Sequence, residues 1–456
     1  MRAISVSSRR IRFWTRLMFA YFRRYRFFIT AVLLVVIITS WGFFKIWPFI
    51  FRSNLLTIGY TGVYTLETIP TEVLSLATGP LISIDKNGKP IPSLASHWTV
   101  SDDGKTYVVF LKDNLFWGNG ESVDAKDISI AISDVSVKAL NNKAIEFKLP
   151  NPVFSFPLAL DKPIFKTKSF YGTGHFLIVD IDKVGDVVKK ITLAPRDETL
   201  PRVDIKFYQT EEQAINALKI GEVKNALVAN ADIFEKWPNV EVKREMEADE
   251  VVTIFYNNED SLLSSKEIRQ ALTFSINRTQ FDGVLASAPI APTSWVYNSQ
   301  VKKYEYNTGR SKALLSKASG ELKITLSVSP GLEEIAQMIK GDWEAVGVET
   351  SLRVEKSVPV DFQALLAINQ LKPDPDQYAL WHSTQRKTNI TRYKNVKIDK
   401  LLEDARVEKD ENKRMELYFD FQRFLVEDAP AAFLYHPYKY QVTYKNAKKL
   451  LEKLQK

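Results

Sequence analysis

LKITLSVSPGLEEIAQMIKGDWEAVGVETSLRV, residues 322–354, decides the fold class. Leu322–Val328 and Val348–Val354 read as strands, dense in β-branched and apolar side chains. Between them Leu332–Val346 reads as a helix, stopped at Gly347. A strand, a helix and a second strand in so short a span form one crossover unit, the building block of mixed α/β folds.

The pattern continues in both directions. Leu55–Tyr60 reads as a buried strand ending in a glycine-rich turn, Gly59–Gly62. Trp98–Val100 and Thr106–Leu111 flank the hairpin signal Ser101-Asp102-Asp103-Gly104, and Ile145–Leu149 follows as another strand. Val123–Ile132 reads as a short helix, and Phe176–Ile181 and Val203–Tyr208 as strands. Thr210 with Gln213, and Ser264 with Glu267, are capping-box pairs; each opens a helix, the first closed by Gly221 and the second spanning Lys266–Asn277. Ile398–Val407 and Asn412–Val426 are amphipathic helices, and Ala431–Tyr435 and Tyr440–Thr443 are closing strands.

Charge divides the chain sharply. Residues 27–44, FFITAVLLVVIITSWGFF, carry no charge, and the 26 residues before them hold eight Arg and no acid. Eighteen residues at helical rise span about 27 Å, close to the hydrocarbon thickness of a bilayer. The expectation is a basic cytoplasmic segment at 1–26 and a signal-anchor helix at 27–50, with Trp41 and Trp47 at interfacial positions and the remainder outside a bacterial cell membrane. A cleaved signal peptide is the alternative; its basic region would be unusually long. The first 52 residues hold nine Arg, one Lys and no acid, whereas the other 404 hold 52 basic and 54 acidic side chains, net −2. The basicity suits anionic lipid heads and gives no support to nucleic-acid binding. A remainder of this size exceeds one ordinary core and implies two lobes or more. There is no cysteine, so neither a disulfide nor a thiol ligand is available.

Catalytic signatures are missing. There is no phosphate-cradling Gly-rich loop ending in Lys-Ser/Thr, no dinucleotide fingerprint after a strand and no nucleophile elbow. His97, His175, His382 and His436 are scattered, with no pair at metal-ligand spacing, so neither a metal nor another cofactor is expected. Asp102-Asp103 and Asp374-Pro375-Asp376 are carboxylate pairs in turns, and Gly172-Thr173-Gly174 reads as a turn. An exported, catalytically silent, two-lobed α/β chain is most economically a binding protein, with its ligand site at the lobe interface.

Five stretches, in order, resemble the extracellular solute-binding proteins of peptide ABC importers, family 5. They are LASHWTVSDDGKTYVVFLKDNLFWGNGESVDAKDI (94–128), GTGHFLI (172–178), SSKEIRQALTFSINRTQF (264–281), PDPDQY (373–378) and the run from Thr391 to Pro437. The resemblance implies a periplasmic-binding-protein-like fold of two lobes that close on a ligand. The first lobe would hold 53–250 with 431–456 returning to it, and the second 255–430. Bound peptide would lie extended between them, paired through its backbone, and ABC permease subunits would be the partners. The segment before Gly172 and the stretch Tyr297–Tyr306 look trimmed against the family.

The resemblance also points to site residues. Tyr60 ends the first strand where the chain reaches the cleft, or else belongs to the core. Tyr256 and Asn257 fall at the expected lobe crossover, and the Asn257 amide either meets a peptide backbone or fixes the hinge. Trp295 and Trp381 line side-chain pockets or pack. Asp374, His382 and Asn389 lie in and after the Asp-Pro-Asp run, which faces ligand in the family. Arg269 is expected to form a salt bridge within its lobe. Many peptide binders place an Asp three residues before that run, to pair with the ligand's α-ammonium; here the position is Leu371, followed by Lys372. Such a charge-assisted bond is worth roughly 1.5–3 kcal/mol, or about 10- to 150-fold in affinity. Either a neighbour such as Asp374 substitutes, or the ligand is not an ordinary free peptide. A receptor or scaffold that kept the fold without transport is the alternative function.

Overall fold

The computed structural model describes residues 54–454, apart from 86–87, 319 and 373, together with separate stretches between residues 13 and 41. In that N-terminal part residues 34–41 are helical and their apolar side chains are exposed. Among the described residues no helix is long and apolar enough to cross a membrane. The expected span, 27–50, falls in part outside the described residues.

The last strand, Ala431–Tyr444, organises the rest. Its first half pairs antiparallel with Glu250–Tyr256, from Phe255↔Ala431 to Val252↔Tyr435. Its second half pairs with Val240–Met246 and with Asn225–Val228. One long strand thereby joins two half-sheets. The chain makes a second passage between them at residues 247–249, between the strands Val240–Met246 and Glu250–Tyr256.

The first half-sheet runs through Asn225–Val228, Leu55–Thr61, Arg202–Tyr208, Val187–Pro195 and Phe176–Val184. Leu56, Ile191, Leu193, Val203 and Ile205 are wholly buried within it. A separate four-stranded sheet, Ala95–Val100, Thr106–Leu111, Ala144–Lys148 and Ser136–Asn141, has its own core of Tyr107, Val109, Phe147 and Trp117. The loop Gly172–Gly174 packs against Ala77: a Cβ at Gly172 would come within 2.2 Å of the Ala77 carbonyl oxygen. Glycine is required there by close approach of two backbones, and no phosphate is needed to explain it.

In the second half-sheet, Lys323–Val328 and Glu349–Val354 pair parallel around the helix Glu333–Glu344, as the opening stretch predicts. Ala364–Gln370 lies beside Glu250–Tyr256. Both faces are covered. The helices Lys266–Ser275 and Glu333–Glu344 lie over Val252, Ile254 and Tyr256, whereas Val396–Val407 and Glu411–Asp428 lie over Val251, Phe255, Leu365 and Ala367. Double coverage makes these strands continuous apolar runs, VVTIFY and ALLAINQ, without the alternation that marks a strand in sequence.

Several local expectations are corrected. Val123–Ile132 is mostly irregular, with only a single turn at Ala125–Asp127. The cap of the helix Lys266–Ser275 is Ser265, whose hydroxyl accepts from the Ile268 N–H, one residue after the expected Ser264. Thr210 caps Glu211–Lys219 as expected. Arg269 is buried and makes no salt bridge among the described residues. Its guanidinium donates to the carbonyls of Leu263, Ser264, Asp428 and Ala429, at 2.7–3.0 Å. Two of these carbonyls end the helix Glu411–Asp428, whose capping residue Ala429 is left-handed (φ 48°). Arg269 therefore satisfies helix-end acceptors that have no partner within their own helix.

Candidate functional site

The two passages between half-sheets lie side by side. The Glu247 N–H donates to the Pro437 carbonyl at 3.0 Å, and Lys439 Nζ meets Glu250 Oε1 at 2.7 Å and Glu247 Oε2 at 3.8 Å. His436 Nδ1 lies 2.9 Å from the Glu250 carbonyl, and its burial lowers the imidazole pKa.

A cavity of about 300 Å³ opens beside this joint. The N-terminal half of the chain supplies Ile84, Asp85, Gly88 and Asp161 to its wall, and the passage itself supplies Asp249. The second half-sheet and its loops supply Ala291, Thr293, Ser294, Leu371 and Lys372. Leu371 is buried, and its N–H donates to the Asp249 carbonyl at 2.6 Å. Among the described residues its wall carries three carboxylates and one exposed lysine. Burial raises the Asp161 carboxyl above its ordinary range. Neither Asp161 nor Asp249 has an ion-pair partner among the described residues. Two polar atoms, Ser294 Oγ on the wall and Asn369 Nδ2 two residues before Leu371, are buried with no hydrogen-bond partner among the described residues. Strand alternation places Asn369 on the same face as Leu371.

The outer contacts between the two halves lie elsewhere. Lys89 Nζ meets Glu411 Oε1 at 2.7 Å, the Phe154 N–H donates to the Arg406 carbonyl at 3.1 Å, and Lys409 Nζ donates to the Asp102 carbonyl at 3.0 Å while lying over the Phe154 ring. Asp374 belongs to this group. It accepts from the Asp376 N–H at 3.0 Å and from Ser155, and burial together with the Asp376 charge pushes its pKa up to about 6. Asp376 is held by Arg406, 2.6 Å away, which stacks on Tyr378.

The sequence-chosen residues divide unevenly. Trp295 follows the cavity residues Thr293 and Ser294 and packs against the core beneath the Arg414 guanidinium. Tyr60 packs on Phe207, and burial pushes its phenol up to about 12. Tyr256 is wholly buried, its hydroxyl 3.3 Å from Thr273 Oγ1. Trp381 is buried, with Nε1 donating to Gln377. His382 is buried, stacked on Tyr378 and bonded to Thr384 and Glu403. Asn389 is buried and donates to the Tyr393 and His382 carbonyls. Asn257, expected at the crossover, sits at the opposite end of its strand from residues 247–249, and its amide donates to the Phe362 carbonyl at 2.9 Å. Asn389 borders a second hollow, of about 320 Å³, with Glu259, Ser383, Arg386, Arg392 and Lys394, all within the second half of the chain. Asp161 and Asp249 escaped the sequence reading because neither sits in a motif.

Among the described residues no group of three or more His, Cys, Asp and Glu is placed to hold a metal ion.

Comparison with known proteins agrees with this architecture. The chain is 25% identical over 457 residues to the oligopeptide-binding protein AppA of Bacillus subtilis, covering 83% of this chain and 84% of that one. The structure of AppA with a nonapeptide superposes with a TM-score of 0.69 at 24% identity, over 86% of this chain and 94% of AppA. The dipeptide-binding protein of Escherichia coli is 23% identical over 447 residues, covering 78% and 83%. NikZ of Campylobacter jejuni, solved with Ni(L-His), gives a TM-score of 0.71 at 22% identity, covering 86% and 94%. These likenesses show the two-lobed α/β solute-binding fold, and the relatives are binding proteins rather than enzymes. The profile of the bacterial extracellular solute-binding proteins, family 5 Middle, matches residues 89–133 and 129–391. With most of its length so matched, the chain belongs to the family 5 bacterial extracellular solute-binding proteins.

Proposed function

We propose that this chain captures short peptides between its two lobes outside the bacterial membrane and delivers them to the permease of an ABC importer. The observation that carries the reading is the cavity at Asp249 and Leu371, walled by both halves of the chain beside their two connecting passages. Its volume lies at the lower end of ligand pockets, which favours a short solute over a long peptide. The peptide-binding relatives favour the same class. The apolar stretch of 27–50 would tether the protein at the membrane and keep its local concentration high near the permease.

The proposed lobes are 53–250 and 255–430, with the chain returning to the first. In this reading the chain returns to the first lobe near Pro437, later than 431, which the pairing of residues 431–435 with 252–255 supports. Closure would bring Lys89, Asp102 and Phe154 onto Arg406, Lys409 and Glu411. Exposed ion pairs such as Lys89–Glu411 are worth about 0–1 kcal/mol each, so these contacts leave closure close to balance and a bound solute tips it.

Native mass spectrometry of the full chain, released from detergent micelles, tests the reading. A heterogeneous adduct that fragments as peptide, displaced by added di- and tripeptides, supports it. A bare mass, with no melting shift in a mixed peptide digest, favours a receptor or scaffold that kept the fold without transport, the alternative motivated by Leu371.

A further inference from the structure

One end of the first half-sheet gathers positive charge, and strand direction defines that end. Leu55–Thr61 and Asn225–Val228 run parallel, with Ile58 beside Asn225, and the Lys224 N–H donates to the Thr57 carbonyl at 2.9 Å. The Gly62 N–H donates to the Tyr208 carbonyl at 2.7 Å, so Arg202–Tyr208 also starts where Leu55 starts. Val187–Pro195 and Ala431–Tyr444 run the other way and finish there, followed by Arg196 and Lys445. Four strands thus carry a base at or next to this end: Lys224, Arg202, Arg196 and Lys445. Leu55–Thr61, by which the chain enters the lobe, lies among them.

The last helix, Lys448–Leu454, covers the same end. Leu450, Leu451 and Leu454 pack on the core of the first half-sheet, and Lys453 Nζ donates to the Thr199 carbonyl at 2.8 Å. Lys445, Lys448, Lys449 and Lys453 are all exposed. The run Lys445–Lys456 holds five Lys and one acid, Glu452, in an outer region whose net charge is −2. Acids lie near: Glu241 pairs with Lys448 at 2.8 Å, and Asp197 and Glu198 follow Arg196. The bases still outnumber them. Large apolar side chains stand uncovered beside the bases. Ile220, at the end of the helix Glu211–Lys219, is 77% exposed. Tyr171, next to the Gly172 carbonyl that accepts from Arg196, is 46% exposed.

Resting on the tether reading above, we infer that this end of the first lobe docks on the anionic lipid headgroups of the membrane that holds 27–50. Two arguments name the occupant. Residues 51–54 connect the apolar stretch to the first strand, and four residues reach about 14 Å at full extension, so the entry end of that strand stays close to the bilayer. An anionic bilayer surface attracts nearby bases, by about fivefold in occupancy for each lysine. Ile220 and Tyr171 suit the headgroup boundary, where apolar side chains insert beside basic ones.

The chain has no cysteine, so an introduced one is a single labelling site. Full-length protein is placed in nanodiscs of phosphatidylcholine alone, or mixed with phosphatidylglycerol, with some headgroups spin-labelled as quenchers. A fluorophore at Asn446→Cys is expected to be quenched several-fold more in the mixed discs than in phosphatidylcholine, and more than one at Val396→Cys in the second lobe. Lys445→Gln, Lys448→Gln, Lys449→Gln and Lys453→Gln together should remove that difference, as should high salt. Lys449→Glu alone, at a side chain with no partner among the described residues, should remove part of it. Quenching at residue 446 that ignores phosphatidylglycerol or survives the lysine changes overturns the docking and leaves the tether standing, since the short connection then accounts for it. Quenching no greater than at residue 396 does the same. Protein that enters no disc and floats with no vesicle of either composition overturns the tether and the docking with it. Peptide capture stands in every case. Unchanged urea unfolding of the variants in detergent shows that lost quenching is not lost folding.

Discussion

Two cavities of similar size, about 300 and about 320 Å³, lie near opposite ends of the strand Ala364–Gln370. The first takes its wall from both halves of the chain and is rich in acids without partners. The second lies within one lobe and is rich in bases whose needs are largely met locally: Lys394 pairs with Glu259, and Arg392 donates to the Val360 carbonyl. Nearby, the amides of Asn257 and Asn389 are spent on backbone carbonyls. On the wall of the first cavity Ser294 Oγ has no hydrogen-bond partner among the described residues. Size therefore does not separate the two hollows; what separates them is that only the first is walled by both halves of the chain.

The contrast can be broken experimentally at either end. The largest effect is expected on the satisfied side. Arg269→Met leaves four carbonyls without their donor and is expected to cost roughly 3 kcal/mol or more in urea unfolding, with solute affinity unchanged in whatever fraction stays folded. Asn257→Ala removes its bonds to Phe362 and to the Glu259 N–H, and should cost about 1–3 kcal/mol of stability without changing solute affinity. A large affinity loss in this variant would return Asn257 to the ligand site. On the unfinished side the signs reverse. Asn369→Leu removes a buried donor that has no partner among the described residues and should stabilise the protein by up to about 1 kcal/mol in urea unfolding.

Asp374 sharpens the comparison through pH. Its pKa is raised from 3.8 to about 6, so its contribution to stability is full below 3.8 and is lost as pH rises through 6. Asp374→Asn should match wild type near pH 4 and exceed it in melting temperature at pH 7.5. Equal melting at both pH values would mean that the carboxyl is not desolvated against Ser155 and Asp376. The smallest effect belongs to the outer contacts. Lys89→Ala should change stability by less than about 1 kcal/mol, since its pair with Glu411 is half exposed on both sides.

Much of the fold was legible, because caps and crossovers are local. The unit 322–354 and the Thr210 cap formed as read. The strands Glu250–Tyr256 and Ala364–Gln370 were not picked out, since burial on both faces erases the alternation that marks a strand. For the site, the chosen aromatic and amide residues follow recognisable runs, and such runs record what packs. Tyr256 and Trp381 lie in the core, and of the eight only Trp295 adjoins the cavity. Asp161 and Asp249 sit in connections where an acid has no periodicity and no motif to betray it.

By itself the sequence determined the α/β class, the family, the apolar and basic N-terminal pattern and the lack of any catalytic motif, because each is carried by neighbours along the chain. Only the tertiary structure decided which polar groups are left unpaired. Asp161, Asp249 and Ser294 come from three distant segments onto one cavity wall, and whether a carboxylate or hydroxyl has a partner is a property of the space around it.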